Sequence, residues 1–381
     1  MAAYRAAAGA GETTLKLASV LWSTLIIGLS SAAPATSGEV PTGYPASYAS
    51  ILAAARTEGR LSIYSTTDAR EVVKLLQDFR SLHPTIDVEY ADLSSTELYS
   101  RFIAEDAAGE GSADVLWSAA MDLQVKLVND GYVQAHVSPE RPALPDWAVW
   151  KNQAFGVTAE PIVFVYNKRR MPPEDVPASH AELERLLRTR AHAYRDKVAT
   201  YNPERSGTGF LYMTQDLRAS RDTWALVRAM GGTRVRLYTS TGAMMERVAS
   251  GEHVLAYNVI GSYAFERQAT DPTLAVVVPS DYTLVMSRVA LIPTHARNPN
   301  AAKVFLDYLL SRRGQQQLAA RHMPSVRIDE QSGQDPALRA RARAIPVGPE
   351  LLANLDQFER LQFLKDWRAA LASSRKGGGA E

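Results

Sequence analysis

Short apolar stretches alternate with amphipathic helical stretches along most of this chain, and that alternation restricts the fold more than any other feature. It implies an α/β architecture, with sheet strands linked by helices. Residues 61–64 (LSIY) read as a first strand running into Ser65, Thr66, Thr67 and Asp68. A helix then follows with Val72, Leu75, Leu76 and Phe79 on one stripe. Asp68 and Glu71 have capping-box spacing, which sets the helix start, and His83-Pro84 ends it. Further strands are predicted at 86–90, 114–117, 198–201, 234–238, 254–258, 274–279 and 289–292. Helices are predicted over 97–107, around Leu123, Leu127 and Val128, from about Asn300, and from about Glu350. The last of these would carry Leu351, Leu355, Phe358, Leu364, Trp367 and Leu371 on its stripe. Residues 155–168 form a long strand-like stretch without helical period, suited to a passage between lobes.

The first 35 residues do not share this pattern. Arg5 and Lys16 precede an apolar run at 17–29, and small residues follow at Ser31-Ala32-Ala33 and Ala33-Pro34-Ala35. Together they read as a cleavable signal peptide. The run is shorter than the roughly 20 apolar residues that span a bilayer. What remains is longer than one core usually serves, so two lobes are expected. The division reads as signal peptide 1–35, flexible lead-in 36–47, first lobe 48–157 and second lobe 158–280. Residues 281–372 would return to the first lobe with C-terminal helices, and 373–381 would be a disordered tail.

Composition removes several function classes. With 42 basic against 41 acidic residues there is no basic stripe for nucleic acid. The absence of cysteine excludes disulfides, thiolate metal sites, cysteine catalysis and a lipidated cysteine. None of the seven histidines has metal-ligand spacing, and no G-x-S-x-G, H-E-x-x-H or GK[ST] loop occurs. No catalytic residue, metal ligand or cofactor is therefore assigned, and the chain is read as a non-enzyme.

Four strand-to-helix loops carry the functional reading: Ser65 to Asp68, Ser118-Ala119-Ala120, Ser206-Gly207-Thr208-Gly209, and Thr239-Ser240-Thr241-Gly242. In open α/β sheets ligands bind beyond the carboxyl ends of strands, where helix N-termini offer free N–H groups. Ser and Thr are also the ordinary N-cap residues, so capping alone accounts equally for any one loop. Arg205 beside the third loop could add charge for a phosphate or carboxylate, or lie on a solvated face.

The stretches LSIYSTTD (61–68), ADVLWSAAMD (113–122), GVTAEPIVFVYNK (156–168), NPERSGTGF (202–210) and NPNAAKVFLDYLLSRRGQQQLA (298–319) resemble, in order and spacing, the extracellular solute-binding proteins of bacterial ABC transporters. The resemblance is to the iron(III)-type branch, which includes hexose-phosphate binders. It implies a type II periplasmic-binding-protein fold, two α/β lobes joined by crossing strands with a ligand cleft between them, closing like a flytrap. It also implies a periplasmic monomer that delivers a small-molecule ligand to an inner-membrane permease. Iron binders of the branch carry adjacent tyrosines where Val259-Ile260 stand here, while Tyr257 and Tyr263 are separated. The Ser206–Gly209 turn is similar to the phosphate cradle of sugar-phosphate binders. The expected ligand is a small polar anion, phosphorylated or carboxylated. An iron(III) carrier and a periplasmic sensing partner of a receptor kinase are the alternatives. The ligand-binding residues expected are Ser65, Thr66, Thr67, Asp68, Ser118, Ala119, Arg205, Ser206, Gly207, Thr208, Tyr257 and Asn258.

Overall fold

A computed structural model describes residues 40–109, 111–330 and 336–376. In chain order the strands are β1 (Arg60–Ser65), β2 (Asp87–Asp92), β3 (Val115–Ser118), β4 (Val149–Trp150), β5 (Ala154–Gly156), β6 (Glu160–Asn167) and β7 (Val198–Tyr201). They continue as β8 (Arg236–Tyr238), β9 (Leu255–Ile260), β10 (Leu274–Val277), β11 (Thr283–Met286), β12 (Val289–Leu291) and β13 (Ala342–Ala344). The first sheet has the order β2-β1-β3-β12-β5-β4. The second runs β13-β11-β6-β9-β7-β8, with β10 also paired to β6. β1 is parallel to β2 and β3, and β7 is parallel to β8 and β9, as crossover helices require.

The period-2 alternation of strand side chains sorts residues between cores. Leu61, Ile63, Val115 and Trp117 enter a first-lobe cluster with Phe79, Phe155 and Phe305. Phe164, Leu255 and Tyr257 enter a second-lobe cluster with Leu183, Phe210, Met230 and Trp367. The opposite faces supply a third cluster that belongs to both sheets. It joins Tyr64, Leu98, Phe102, Leu116 and Met121 of the first to Val163, Tyr201, Tyr212, Met244 and Val259 of the second.

The chain passes between sheets at residues 157–159, from β5 into β6, and at 287–288, from β11 into β12. The long stretch at 155–168 is thus two strands and a link. The passages are tied together: the Val157 N–H donates to the Arg288 carbonyl at 2.9 Å, and the Thr158 N–H to Ser287 Oγ at 3.2 Å.

Several expectations need correction. The return to the first lobe starts after β11, since β11 pairs with β6 in the second sheet. The tail does not stay in the first lobe: β13 pairs with β11, and the helix Gln357–Lys376 buries Phe363 and Trp367 in the second-lobe core. That helix is preceded by a separate 3-10 turn, Pro349–Leu355, and Phe358 is 72% exposed rather than on the buried stripe. It runs past Ser373 into the stretch expected to be disordered. In the lead-in Val40 and Tyr44 are half-buried against the first-lobe core: Tyr44 stacks edge-on against Tyr48 at 4.7 Å and donates to Glu140 at 2.7 Å. The expected signal peptide lies outside the described residues. No helix among the described residues is long and apolar enough to cross a membrane.

Candidate ligand-binding site

The loops after β1 and β3 lie side by side because those strands are neighbours. The Ala119 N–H donates to Thr66 Oγ1 at 2.9 Å, the Thr67 N–H to Ser65 Oγ at 3.1 Å, and the Ala120 N–H to Ser118 Oγ at 3.1 Å. Ser65, Thr67 and Ser118 are buried. Each of these hydroxyls accepts, so each retains its own hydrogen to donate. In the second lobe Ser206 and Ser240 cap their helices, accepting from the Gly209 and Ala243 N–H groups at 3.2 and 3.3 Å. Each cap hydroxyl accepts here, so it keeps its own hydrogen to donate. Gly209 lets the helix Gly207–Ala219 lie against β7, since a Cβ there would meet Tyr201 Cβ at 2.6 Å.

These two sets of loops face one another. The Thr208 N–H reaches Ser95 Oγ at 3.4 Å, and Thr96 Oγ1 donates to the Arg205 carbonyl at 3.3 Å. Asp68 exchanges two hydrogen bonds with the Tyr263 hydroxyl, accepting it at Oδ1 at 3.0 Å and donating its own N–H to it at 3.1 Å. A Cβ on Gly242 would stand 3.9 Å from Asp68 Oδ2. Gly207 packs directly on the opposite lobe: a Cβ there would meet Leu123 Cδ1 at 2.9 Å, Ser95 Oγ at 3.3 Å and Ala120 Cβ at 3.4 Å. A methyl group would be absorbed by the flexible Leu123, but a larger side chain would act as a wedge. Gly207→Leu is expected to hold the lobes apart, raising the radius of gyration in small-angle scattering and costing about 1–3 kcal/mol of stability. An unchanged scattering profile would show that this contact does not set the lobe spacing.

Of the twelve expected residues, Ser65, Thr66, Thr67, Asp68, Ser118, Ala119, Ser206, Gly207 and Thr208 come together at this seam. Arg205 reaches it only with its carbonyl, and its side chain is exposed. Tyr257 and Asn258 are elsewhere. Both donate to Asp216 Oδ2 at 2.7 Å, inside the second lobe, where Tyr282 also donates to Oδ1 at 2.9 Å. The cause is a bulge: the register of β9 on β6 shifts here and Asn258 takes φ of +60°, turning both side chains toward the helix that carries Asp216. Desolvation raises the Asp216 pKa above the usual carboxylate range. The capping box at Asp68 also does not form. Asp68 holds the N-cap position without a cap bond, faces Tyr263 and Arg70, and leaves the Ala69 N–H to Asp92.

Sequence reasoning missed the group at the centre of the seam. Arg288 lies in the second crossing and is 0% exposed. Its Nε and Nη2 grip Glu160 at 2.8 and 3.0 Å, its Nη1 donates to Thr67 Oγ1 at 2.7 Å, and its Nη2 also reaches Ser262 Oγ at 3.3 Å. Ser262 in turn donates to Glu160. The guanidinium lies 5.3 Å from the centre of the Tyr263 ring. Burial alone would lower its pKa, but the Glu160 carboxylate, with Tyr263 and Tyr212, holds it well above the ordinary value. Nearby, the Tyr201 hydroxyl and Thr241 Oγ1 share a 2.6 Å hydrogen bond. Burial pushes the Tyr201 phenol up to about 12 and raises Tyr212 and Tyr263 as well, so all three are protonated donors at neutral pH. The seam is therefore rich in neutral hydroxyl donors, around one cation already matched by a carboxylate. Among the described residues no group of three or more His, Cys, Asp or Glu could hold a metal ion.

Two lobes joined by paired crossings, with strand-end loops meeting at the seam, define the type II periplasmic-binding class. Residues 74–335 match the family described as bacterial extracellular solute-binding protein, and the chain belongs to that family. Its structure is similar to a substrate-binding protein of an ABC transporter from Agrobacterium tumefaciens, with a TM-score of 0.78 and 38% identity over 82% of this chain and 94% of that one. The fold is shared at 19% identity with the periplasmic binding protein AfuA from Actinobacillus pleuropneumoniae, solved with fructose-6-phosphate bound. There the TM-score is 0.66, and 82% of this chain and 99% of that one are covered. In sequence it is 26% identical over 193 residues to the phosphoglycerate transport regulatory protein PgtC of Salmonella typhimurium, covering 46% of this chain. The chain spans about half (48%) of the length of that curated relative.

Proposed function

We propose that this protein is the solute-receiving component of an ABC transporter on the outer side of the inner membrane. It captures a small oxygen-rich anion, phosphorylated or carboxylated, between its lobes and, as a monomer, hands it to a permease without chemical change. The observation that carries this reading is the convergence of hydroxyl-bearing strand-end loops from both sheets, whose Ser65, Thr67, Ser118, Ser206, Thr208 and Thr241 are buried. An anion desolvated there would be held by hydroxyl and N–H dipoles and by helix N-termini rather than by a free cation. A solute that touches both lobes shifts their open–closed equilibrium by the difference in its contacts with the two states. Micromolar affinity, about −8 kcal/mol, would suffice for capture. The curated relative's link to phosphoglycerate transport and the sugar phosphate bound by AfuA suit the same ligand class.

The test is thermal stabilisation by 3-phosphoglycerate, glycerol 3-phosphate, glycerate and inorganic phosphate. The double variant Ser206→Ala, Thr208→Val is expected to abolish the ligand-dependent rise in melting temperature. Its ligand-free stability should fall by only about 1 kcal/mol, the worth of the lost Ser206 cap. Undiminished stabilisation in that variant would remove the Ser206–Thr208 turn from the site.

A further inference from the structure

Tyr212 is 0% exposed, and its hydroxyl has no hydrogen-bond partner. Buried phenols ordinarily find one, so this group calls for a physical account. It lies one helical turn beyond Thr208 on the helix Gly207–Ala219, so the two residues share a face. Its ring packs edge-on against Tyr201 at 5.9 Å. Burial above all raises its pKa, with Tyr201, Glu160, Arg288 and Tyr263 also acting on it, and its ring belongs to the cluster that both sheets share with Met121, Val163 and Val259.

Every neighbour there is already engaged. The Tyr201 hydroxyl is taken by Thr241, the Tyr263 hydroxyl by Asp68, and Glu160 by Arg288, Thr158 and Ser262. Arg288 has five N–H hydrogens. Two go to Glu160, one to Ser262 and one to Thr67, which leaves one hydrogen on Nη1. Two unspent donors, one phenolic and one guanidinium, therefore lie in the interior between the two sheets.

We propose that Tyr212 is a ligand-contacting residue: its hydroxyl and the remaining Nη1 hydrogen of Arg288 together take one oxygen of a carboxylate or phosphate at the inner end of the seam. This rests on the solute-binding reading above and adds to it the residues that recognise the oxyanion. Because Glu160 balances Arg288, the pair supplies direction rather than net charge. It therefore selects an acceptor oxygen at that point and disfavours a ligand that offers only a donor or an apolar group. The phenol stays protonated, so its hydrogen is available to donate to the ligand.

The test uses Tyr212→Phe and the same four probes. Removing an idle buried hydroxyl should leave the ligand-free melting temperature unchanged or higher. For any probe that stabilises the wild type, the concentration giving half-maximal stabilisation should rise at least tenfold. Tyr44→Phe calibrates the opposite case: its hydroxyl is used by Glu140, so it should lower the melting temperature without shifting that midpoint. A ligand-free melting temperature for Tyr212→Phe that falls as far as that of Tyr44→Phe would overturn the assignment, since the hydroxyl would then serve the fold. A midpoint unmoved in Tyr212→Phe but moved in the Ser206, Thr208 double variant would overturn this assignment while leaving the solute-binding reading intact. If none of the probes stabilises the wild type, the anionic reading fails and this assignment fails with it. Comparing glycerol 3-phosphate with glycerate decides which oxyanion the two donors take.

Discussion

Arg288→Met should destabilise the protein by about 3–5 kcal/mol, the usual cost of leaving one partner of a buried ion pair unpaired. The side chain it removes contacts both sheets, through Thr67 in the first and through Glu160 and Ser262 in the second. What remains is a Glu160 carboxylate that is 0% exposed and retains only the Thr158 and Ser262 hydroxyls as donors. Glu160→Gln alone should also be strongly destabilising, because it strands the guanidinium instead. The double variant Glu160→Gln, Arg288→Met should lose less than the two single losses added together, since neither charge is then left buried alone. Urea unfolding of the four proteins measures this cycle. A loss below about 1 kcal/mol for Arg288→Met would mean that solvent reaches Glu160 and that the crossing is looser than its hydrogen bonds imply. The hydrogen bonds made by the main chain of residue 288, to Val157 and Thr158, survive the substitution, so the test isolates the charge.

Much of this arrangement was legible in the sequence because it is local. The alternation of Leu61 and Ile63 with Ser62 and Tyr64, and the helical stripe of Val72, Leu75, Leu76 and Phe79, locate β1 and the helix Ala69–Leu82. A hydroxyl-rich loop after a strand sits at the strand's carboxyl end by construction, which is why the Ser65–Asp68, Ser118 and Ser206–Thr208 loops meet where expected. Tyr257 and Asn258 were misplaced because a bulge breaks the period of two on which facing is inferred, and Asn258 is among the few residue types that tolerate the required positive φ. β11 and β13 are short and pair with strands far away in sequence, so no local period marks them. Arg288 did leave a trace: it is the lone charge in the apolar run MSRVALI, and Glu160 heads the run EPIVFVY. Two isolated opposite charges in two buried strand segments suggest a buried pair. Only the three-dimensional meeting of the crossings shows that the two charges find each other.

Asp122→Asn should stabilise the protein at pH 8 while giving no gain at pH 4. Asp122 opens the helix Met121–Asn129 directly after the Ser118–Ala120 loop and is 2% exposed. It accepts the Leu123 N–H at 2.9 Å at Oδ1, and the Arg360 charge, brought in by the C-terminal helix, also favours its ionised form. Desolvation outweighs both and pushes its pKa from 3.8 up to about 7. Between those two values the folded protein holds a proton that the unfolded chain has released. This group's contribution is therefore fully present below about pH 3.8, falls as the pH rises, and is lost by the time the pH passes about 7. A shift of roughly three units corresponds to about 4 kcal/mol between the two ends of that window. An amide in the same place keeps the acceptor for Leu123 and carries no charge at any pH, so the variant should lack this slope. Urea unfolding at pH 4, 6 and 8 would reveal it as a difference between variant and wild type that grows with pH. A difference of the same size at all three values would mean that Asp122 is already ionised in the folded state, with Arg360 close enough to compensate its burial.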